Sequence, residues 1–175
     1  MKKFELTNEF ITNMFGTKLF RIRALVEFGD VEAGELGGYV EKESNLGHDD
    51  NAWVYDNAWV YGNARVYGNA WVYGNAWVYG NAWVYGNALV CSDEDYAYAH
   101  GFGSVNRTTT FFRLKDGGVG VRCGCFYGTL AQFRDKIRET HGETKKAQEY
   151  LMLADLMELR FEEDENEVGN RKYVE

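Results

Sequence analysis

The sequence predicts a mainly β fold in which short parallel strands wind into a triangular coil. Seven near-identical six-residue units run without a break from Asn51 to Ser92, most of them spelling N-A-W-V-Y-G. Alternation along each strand places Ala and Val on one face and the aromatic residues on the other. Gly and Asn stand between the units, where tight turns require a positive φ.

The size of the alternating residues predicts which face points inward. Ala and Val are small and suit a narrow interior, whereas Trp and Tyr do not fit beside them. We therefore expect Ala52, Val54 and their equivalents to form the core. The aromatic residues should cover the outside.

The spacing of small and aliphatic residues resembles that of hexapeptide-repeat proteins, whose fold is a left-handed β-helix. In that family an aliphatic residue occurs at every sixth position, which here corresponds to Val54, Val60, Val66, Val72, Val78, Val84 and Val90. The resemblance implies three units per coil, so that residues 18 apart in sequence stack on each other.

The stretch that leads into the array carries a second resemblance. The sequence F-G-D-V-E-A-G-E-L-G-G-Y-V-E-K-E-S-N-L-G-H-D-D-N-A-W-V-Y-D resembles the N-terminal cap of uncharacterised hexapeptide-repeat proteins. Members of this group are common in bacteriophages and prophages, and bacterial relatives are described as acyltransferases. The resemblance implies a family and leaves the activity open.

The chain divides into five predicted segments. Residues 1–50 form an N-terminal cap with the first coil or coils, in which Phe20, Ile22, Ala24 and Val26 alternate with polar residues. Residues 51–92 form the array, 93–107 a Gly-rich connector, and 108–161 a module of one β-hairpin and two helices.

The hairpin of the C-terminal module is predicted over Thr108–Leu114 and Val119–Phe126. Thr129 and Gln132 predict the capping box of the first helix. Residues 162–175 are acidic and predicted to be disordered.

Composition excludes several classes of protein. A formal net charge of −8 and a pI near 5.0 argue against a nucleic-acid polymer as partner. The sequence shows neither a secretory signal nor a membrane span, which predicts a cytoplasmic protein of a bacterial host cell.

Alternation would place Cys123 and Cys125 on one face of a strand. Two thiols without a second ligand pair do not predict a metal site, and no cofactor is expected.

The aromatic exterior predicts self-association, since it exposes more apolar surface than soluble monomers usually carry. We expect a homotrimer, the usual assembly in the family that the array resembles. The candidate interface residues are Trp53, Trp59, Trp71, Trp77, Tyr61 and Tyr79. The sequence does not choose among the three faces.

One residue interrupts the aromatic columns. Arg65 replaces a Trp and is expected to stack on Trp83, where cation–π packing alone could explain it. The alternative is a clamp for an anionic, planar ligand in a groove between subunits. Tyr67 and Tyr85 complete this candidate ligand site.

Three functions remain open. The preferred one is a non-catalytic, oligomeric binding protein of phage type that sequesters a small anionic ligand, such as a nucleotide signal, as an anti-defence protein. The second is an acyltransferase. The family resemblance implies an interfacial His as its base, for which His48 and His100 are the candidates, whereas His141 is interpreted as structural. The third is a purely structural trimerisation module.

Overall fold

The computed structural model describes residues 1–103, 105 and 107–162. Its N-terminal segment forms three strands, β1 (Phe4–Thr12), β2 (Lys18–Ala24) and β3 (Leu36–Val40). Both β1–β2 and β2–β3 pair in antiparallel fashion. The prediction that Phe20–Val26 belong to a first coil is therefore wrong. A period of two is common to hairpin strands and coil strands, so alternation alone could not distinguish them.

The repeat array contributes one two-residue strand per unit. These strands are β4 (Trp53–Val54), β5 (Trp59–Val60), β6 (Arg65–Val66), β7 (Trp71–Val72), β8 (Trp77–Val78), β9 (Trp83–Val84) and β10 (Leu89–Val90). Each strand pairs in parallel with the strand 18 residues later, as in Trp53 with Trp71 and Arg65 with Trp83. The backbone therefore coils with three sides per turn, as the repeat predicts.

The coil begins before the array. Val40 of β3 pairs with Val60, and Leu46 forms a parallel bridge with Val66. These partners lie 20 residues apart, because 60 − 40 and 66 − 46 both give 20. The corner between Leu46 and Val54 thus contains two extra residues. With this first turn the molecule has three complete coils.

The interior consists of stacked Ala and Val side chains. Every array Ala from Ala52 to Ala88 and every array Val from Val54 to Val90 is at most 1% exposed, which confirms the predicted inward face. Burying each Val contributes roughly 1.5–3 kcal/mol. Phe4 and Ile22 close this core at the N-terminal end, and Tyr96 and Phe112 close it at the C-terminal end.

The C-terminal part is a four-stranded antiparallel sheet covered by two helices. The elements are β11 (Tyr96–Phe102), β12 (Arg107–Arg113), β13 (Val119–Cys123), β14 (Phe126–Thr129), α1 (Leu130–His141) and α2 (Lys145–Phe161). The capping box is present: the Thr129 hydroxyl accepts from the Gln132 amide, and the Gln132 side chain accepts from the Thr129 amide.

Two local predictions for this part are corrected. The middle of the connector predicted over 93–107 is strand β11 (Tyr96–Phe102), in which Tyr and Ala alternate; the glycines that follow concealed this pattern. The predicted second strand is two strands, because Gly124 turns the chain at a φ of 59°. Cys123 is consequently buried and Cys125 is exposed, so the two thiols do not share a strand face.

The C-terminal sheet supplies hydrogen-bond partners for backbone groups in the last coil of the array. The Trp83 amide donates to the Thr110 hydroxyl at 3.0 Å, and the Tyr96 hydroxyl donates to the Trp77 carbonyl at 2.7 Å. These bonds pair backbone groups that would otherwise lack hydrogen-bond partners at the end of the coil.

The predicted acidic tail beyond Glu162 lies outside the described residues. Within the described ranges, no helix is both long and apolar enough to cross a membrane.

Candidate functional site

The three sides of the coil present different surfaces. The side formed by β4, β7 and β10 is the covered face, and the side formed by β3, β5 and β8 is the ladder face. The side formed by β6 and β9 is the cationic face. Although the repeat units are nearly identical, the segments that flank the array differ from side to side.

The covered face carries Trp53, which is 0% exposed. Phe28 packs edge-on against its indole with ring centroids 5.3 Å apart, and Phe4 does so at 6.2 Å. The prediction that Trp53 points outward into a subunit interface is therefore wrong, because the N-terminal segment of the same chain covers it. Its neighbour Trp71 is half-buried beneath the Lys115 ammonium, which lies 3.1 Å from the ring centroid.

The ladder face exposes stacked aromatic rings. Trp59 and Trp77 lie parallel with centroids 4.6 Å apart, and Tyr61 and Tyr79 stack at 5.4 Å. Trp77 is 37% exposed and Tyr79 is 41% exposed. Of the three faces, this one leaves the predicted interface residues most accessible.

The cationic face brings together all four residues of the predicted ligand site. The Arg65 guanidinium lies 5.5 Å from the Trp83 ring centroid and donates to the Tyr67 hydroxyl at 3.0 Å. A second guanidinium, from Arg122, lies 5.8 Å from the Trp83 ring and 5.0 Å from the Tyr85 ring. The expected stacking of Arg65 on Trp83 is confirmed.

A cavity of about 470 Å³ opens beside these residues. We call it the cationic groove. The titratable side chains that line it are Lys42, Arg65, His100 and Arg107, and its neutral polar side chains include Asn63, Asn81 and Thr108. Its volume is in the range of small-molecule sites.

Arg107 lies against the turn after β13. A Cβ atom added at Gly124 would collide with the Arg107 guanidinium, so the turn leaves room for that group only because residue 124 is glycine. Within the described part of the chain, neither Arg107, Arg65, Lys42 nor Arg122 forms a salt bridge. Positive charge is thus concentrated on one face of a protein whose net charge is −8.

The two candidate histidines have different environments. His48 Nδ1 accepts from the Lys3 amide at 3.2 Å, and His48 Nε2 lies 2.9 Å from a Glu43 carboxylate oxygen. Its ring also stacks on Phe4 with centroids 4.4 Å apart. Both ring nitrogens therefore hold the N-terminal segment in place, which favours a structural role.

His100 lies in the cationic groove, where its Nδ1 is 2.8 Å from the Thr108 hydroxyl. Of the two candidates, only His100 shares a cavity with both Arg65 and Trp83. His48 instead lines a neighbouring cavity of about 580 Å³ with Asp49 and Asp50. Glu43 also lines that second cavity, and hydrogen bonds from the Lys2 ammonium and, to a smaller extent, from His48 hold its pKa below the ordinary value.

The cationic groove is formed within one chain by the N-terminal segment, the array and the C-terminal sheet. Of the four predicted ligand residues, Arg65 and Trp83 line it, whereas Tyr67 and Tyr85 line the neighbouring cavity together with Arg65. A ligand site between subunits stays a prediction.

Three further cations, Lys42, Arg107 and Arg122, are isolated along the chain and carry no signal in the sequence. The first coil, in which Val40 pairs with Val60 and Leu46 with Val66, places Lys42 near Arg65. The docking of the C-terminal sheet adds Arg107 and Arg122. In residues 1–103, 105 and 107–162, no His, Cys, Asp and Glu side chains cluster as three or more potential metal ligands.

The array matches a described family of repeats. The YdcK β-solenoid repeat matches residues 58–74, 64–80 and 70–86, and successive matches are shifted by one six-residue unit. The chain contains β-solenoid repeats. The matched span of this solenoid, residues 58–86, is a minority of the 175 residues. No curated protein matches the chain.

Proposed function

We propose that this β-solenoid protein is a non-catalytic binding protein that holds a small anionic ligand in the cationic groove. The observation that carries the proposal is the convergence of Lys42, Arg65, His100 and Arg107 on one cavity of an acidic protein. Guanidinium groups form strong, charge-assisted hydrogen bonds with phosphate and carboxylate groups. Lys42, Arg65 and Arg107 are all positively charged, and a bound anion would reduce the repulsion among them.

Aromatic rings lie beside these cations, so the proposal includes ligands that carry a planar group as well as an anion. Trp83 lines the groove, Tyr67 and Tyr85 line the neighbouring cavity, and a nucleotide combines a planar base with phosphate. Sequestration of a nucleotide signal agrees with the resemblance of residues 28–56 to phage-type hexapeptide-repeat proteins. This resemblance also underlies our inference that the coil is left-handed and that the protein acts in the bacterial cytoplasm.

We further propose that the protein is a homotrimer assembled through the ladder face. Its stacked Trp and Tyr side chains form an apolar strip of the kind that protein interfaces bury. The covered face already packs against its own chain, and the cationic face would bring like charges together. In this arrangement each subunit keeps its own groove.

An acyltransferase is the second candidate, and the position of His100 is the observation that favours it. This imidazole lies in the groove next to Arg107, where it could act as a base toward a bound acceptor. The test is turnover of an acyl thioester, with His100→Ala expected to abolish it. A binding protein would retain its ligand and show no turnover. A purely structural module would show neither turnover nor binding.

Calorimetry with a panel of linear and cyclic nucleotides tests the binding proposal. Arg65→Ala should weaken binding by roughly 1.5–3 kcal/mol, since hydrogen bonds to a charged group are lost. Arg138→Ala is the matched control, because Arg138 is an exposed arginine whose side chain pairs with Asp135 on α1, outside the groove. Circular dichroism should show that both variants fold. Equal affinities of parent and Arg65→Ala would contradict this placement of the site.

A further inference from the structure

The environment of Trp83 limits how a ligand can use its ring. Arg65 comes from β6, the strand on one side of β9. On the other side lies the C-terminal sheet, in which Thr110 accepts from the Trp83 amide and pairs with Arg122. Guanidinium groups therefore approach the indole from both neighbouring elements. Two cations therefore already lie near the Trp83 ring, and a planar ligand that stacks there competes with them for the ring.

The remaining lining of the groove suits hydroxyl groups. Asn63 and Asn81 occupy equivalent corners of successive coils, and the Asn63 amide nitrogen donates to the Asn81 amide oxygen at 3.2 Å. This bond leaves an acceptor on Asn63 and a donor on Asn81. A hydroxyl group both donates and accepts, so vicinal hydroxyls match this pair.

The charged part of the groove suits a phosphate monoester. Lys42, Arg65 and Arg107 together offer more donors than one carboxylate can accept, because a carboxylate has two oxygens and a single charge. A phosphate monoester has three strong acceptor oxygens and a charge near −1.5 to −2 at neutral pH. Arginine forks bind phosphate in a bidentate manner.

We propose that the cationic groove binds the phosphate monoester of a polyhydroxy compound. The phosphate lies among Lys42, Arg65 and Arg107, and the hydroxyl groups face Asn63 and Asn81. The sugar phosphate therefore supplies the recognised part of the ligand, and a base, where one is present, adds little. This inference rests on the proposed function, because it assigns a ligand class to the same groove.

Calorimetry on the full chain with five probes tests the inference. The probes are ribose 5-phosphate, adenosine 5′-monophosphate, ribose, adenosine and inorganic phosphate. Ribose 5-phosphate and adenosine 5′-monophosphate should bind with affinities within about threefold of each other. Inorganic phosphate should bind about tenfold more weakly, as expected for the loss of one or two neutral hydrogen bonds. Ribose and adenosine should bind at least about a hundredfold more weakly, since charged hydrogen bonds are lost.

Two variants distinguish the phosphate-binding part of the groove from the hydroxyl-binding part. Arg107→Ala should weaken ribose 5-phosphate and inorganic phosphate alike, by about tenfold or more. Asn63→Ala should weaken ribose 5-phosphate by about threefold to tenfold and leave inorganic phosphate unchanged. Arg138→Ala again serves as the control. The probe series on the parent protein decides the question even where a variant is unstable.

The outcomes distinguish this inference from the proposal on which it rests. Binding of adenosine 5′-monophosphate without binding of ribose 5-phosphate would overturn the inference and keep the proposed nucleotide site. Equal affinities for inorganic phosphate and ribose 5-phosphate would overturn the assignment of hydroxyl contacts to Asn63 and Asn81. If none of the phosphorylated probes and no member of the nucleotide panel binds, both proposals fail.

Discussion

At the residue scale, a single replacement distinguishes the cationic face from the other two. Arg65 stands where the neighbouring units have Trp, and its guanidinium reaches both the Trp83 ring and the Tyr67 hydroxyl. The aromatic neighbours restrict the guanidinium without neutralising it. An anion entering the groove therefore meets a cation that is already oriented.

The corner glycines show a second residue-scale effect, which is steric. Gly68 has a φ of +68°, and a Cβ atom there would lie 2.9 Å from the Gly86 backbone nitrogen in the next coil. We predict that Gly68→Ala lowers the free energy of unfolding by about 2–4 kcal/mol. The left-handed backbone contributes about 1–2 kcal/mol of this loss and the crowding between coils contributes the rest.

Gly117→Ala is the matched control for this prediction. Gly117 also has a positive φ, of +86°, but a Cβ atom there would have no neighbour within 4 Å. It should cost about 1–2 kcal/mol, the backbone contribution alone. Urea unfolding followed by circular dichroism measures both variants. If Gly68→Ala and Gly117→Ala cost the same, close contact between the coils does not contribute to stability.

At the element scale, the stacked tyrosines predict how stability depends on pH. Tyr55 and Tyr73 lie parallel with centroids 4.1 Å apart. Burial, the largest cause, raises the pKa of both phenols above their ordinary value. In the unfolded chain each phenol ionises near pH 10, whereas the folded chain retains the proton to higher pH. Their contribution to stability is therefore fully present below pH 10 and is lost as the pH rises above it.

The Tyr55→Phe/Tyr73→Phe double variant tests this prediction. Its free energy of unfolding should fall less steeply than that of the parent between pH 9.5 and 11.5. The difference in slope should stay below the limit of about 1.4 kcal/mol per pH unit for each tyrosine. Solvent screens these half-exposed groups and reduces the effect further. Urea unfolding at several pH values provides the measurement, and identical slopes for the two proteins would contradict the prediction.

At the scale of the whole molecule, the three unlike faces predict how the chain assembles. Trp59→Glu/Trp77→Glu places two carboxylates in the middle of the ladder face. We expect this variant to be monomeric at micromolar concentration, while the parent is a trimer by light scattering. Burying an unpaired carboxylate costs several kcal/mol, which is enough to dissociate a moderate interface.

Trp83→Glu is the control for assembly, because it places the same carboxylate on the cationic face. This variant should remain trimeric and should lose the ligand. A monomeric parent would contradict the trimer directly. A trimeric Trp59→Glu/Trp77→Glu variant would instead move the interface to another face.

The sequence by itself determined the centre of the fold. The inward columns of Ala and Val, the 18-residue stacking of the array and the capping box at Thr129 follow from repeat period, side-chain size and local hydrogen bonding. These are properties of neighbouring residues along the chain, so they can be recognised without knowing the rest of the molecule.

Only the tertiary structure decided which repeat residues remain available for function. Trp53 and Trp77 occur in identical N-A-W-V-Y contexts, yet the first lies under the N-terminal segment and the second is open to solvent. Likewise, Lys42, Arg65 and Arg107 are far apart in sequence and meet because the N-terminal segment forms the first coil and the C-terminal sheet docks on the last one. Exposure and charge clustering depend on these long-range contacts, which no periodic pattern within the array records.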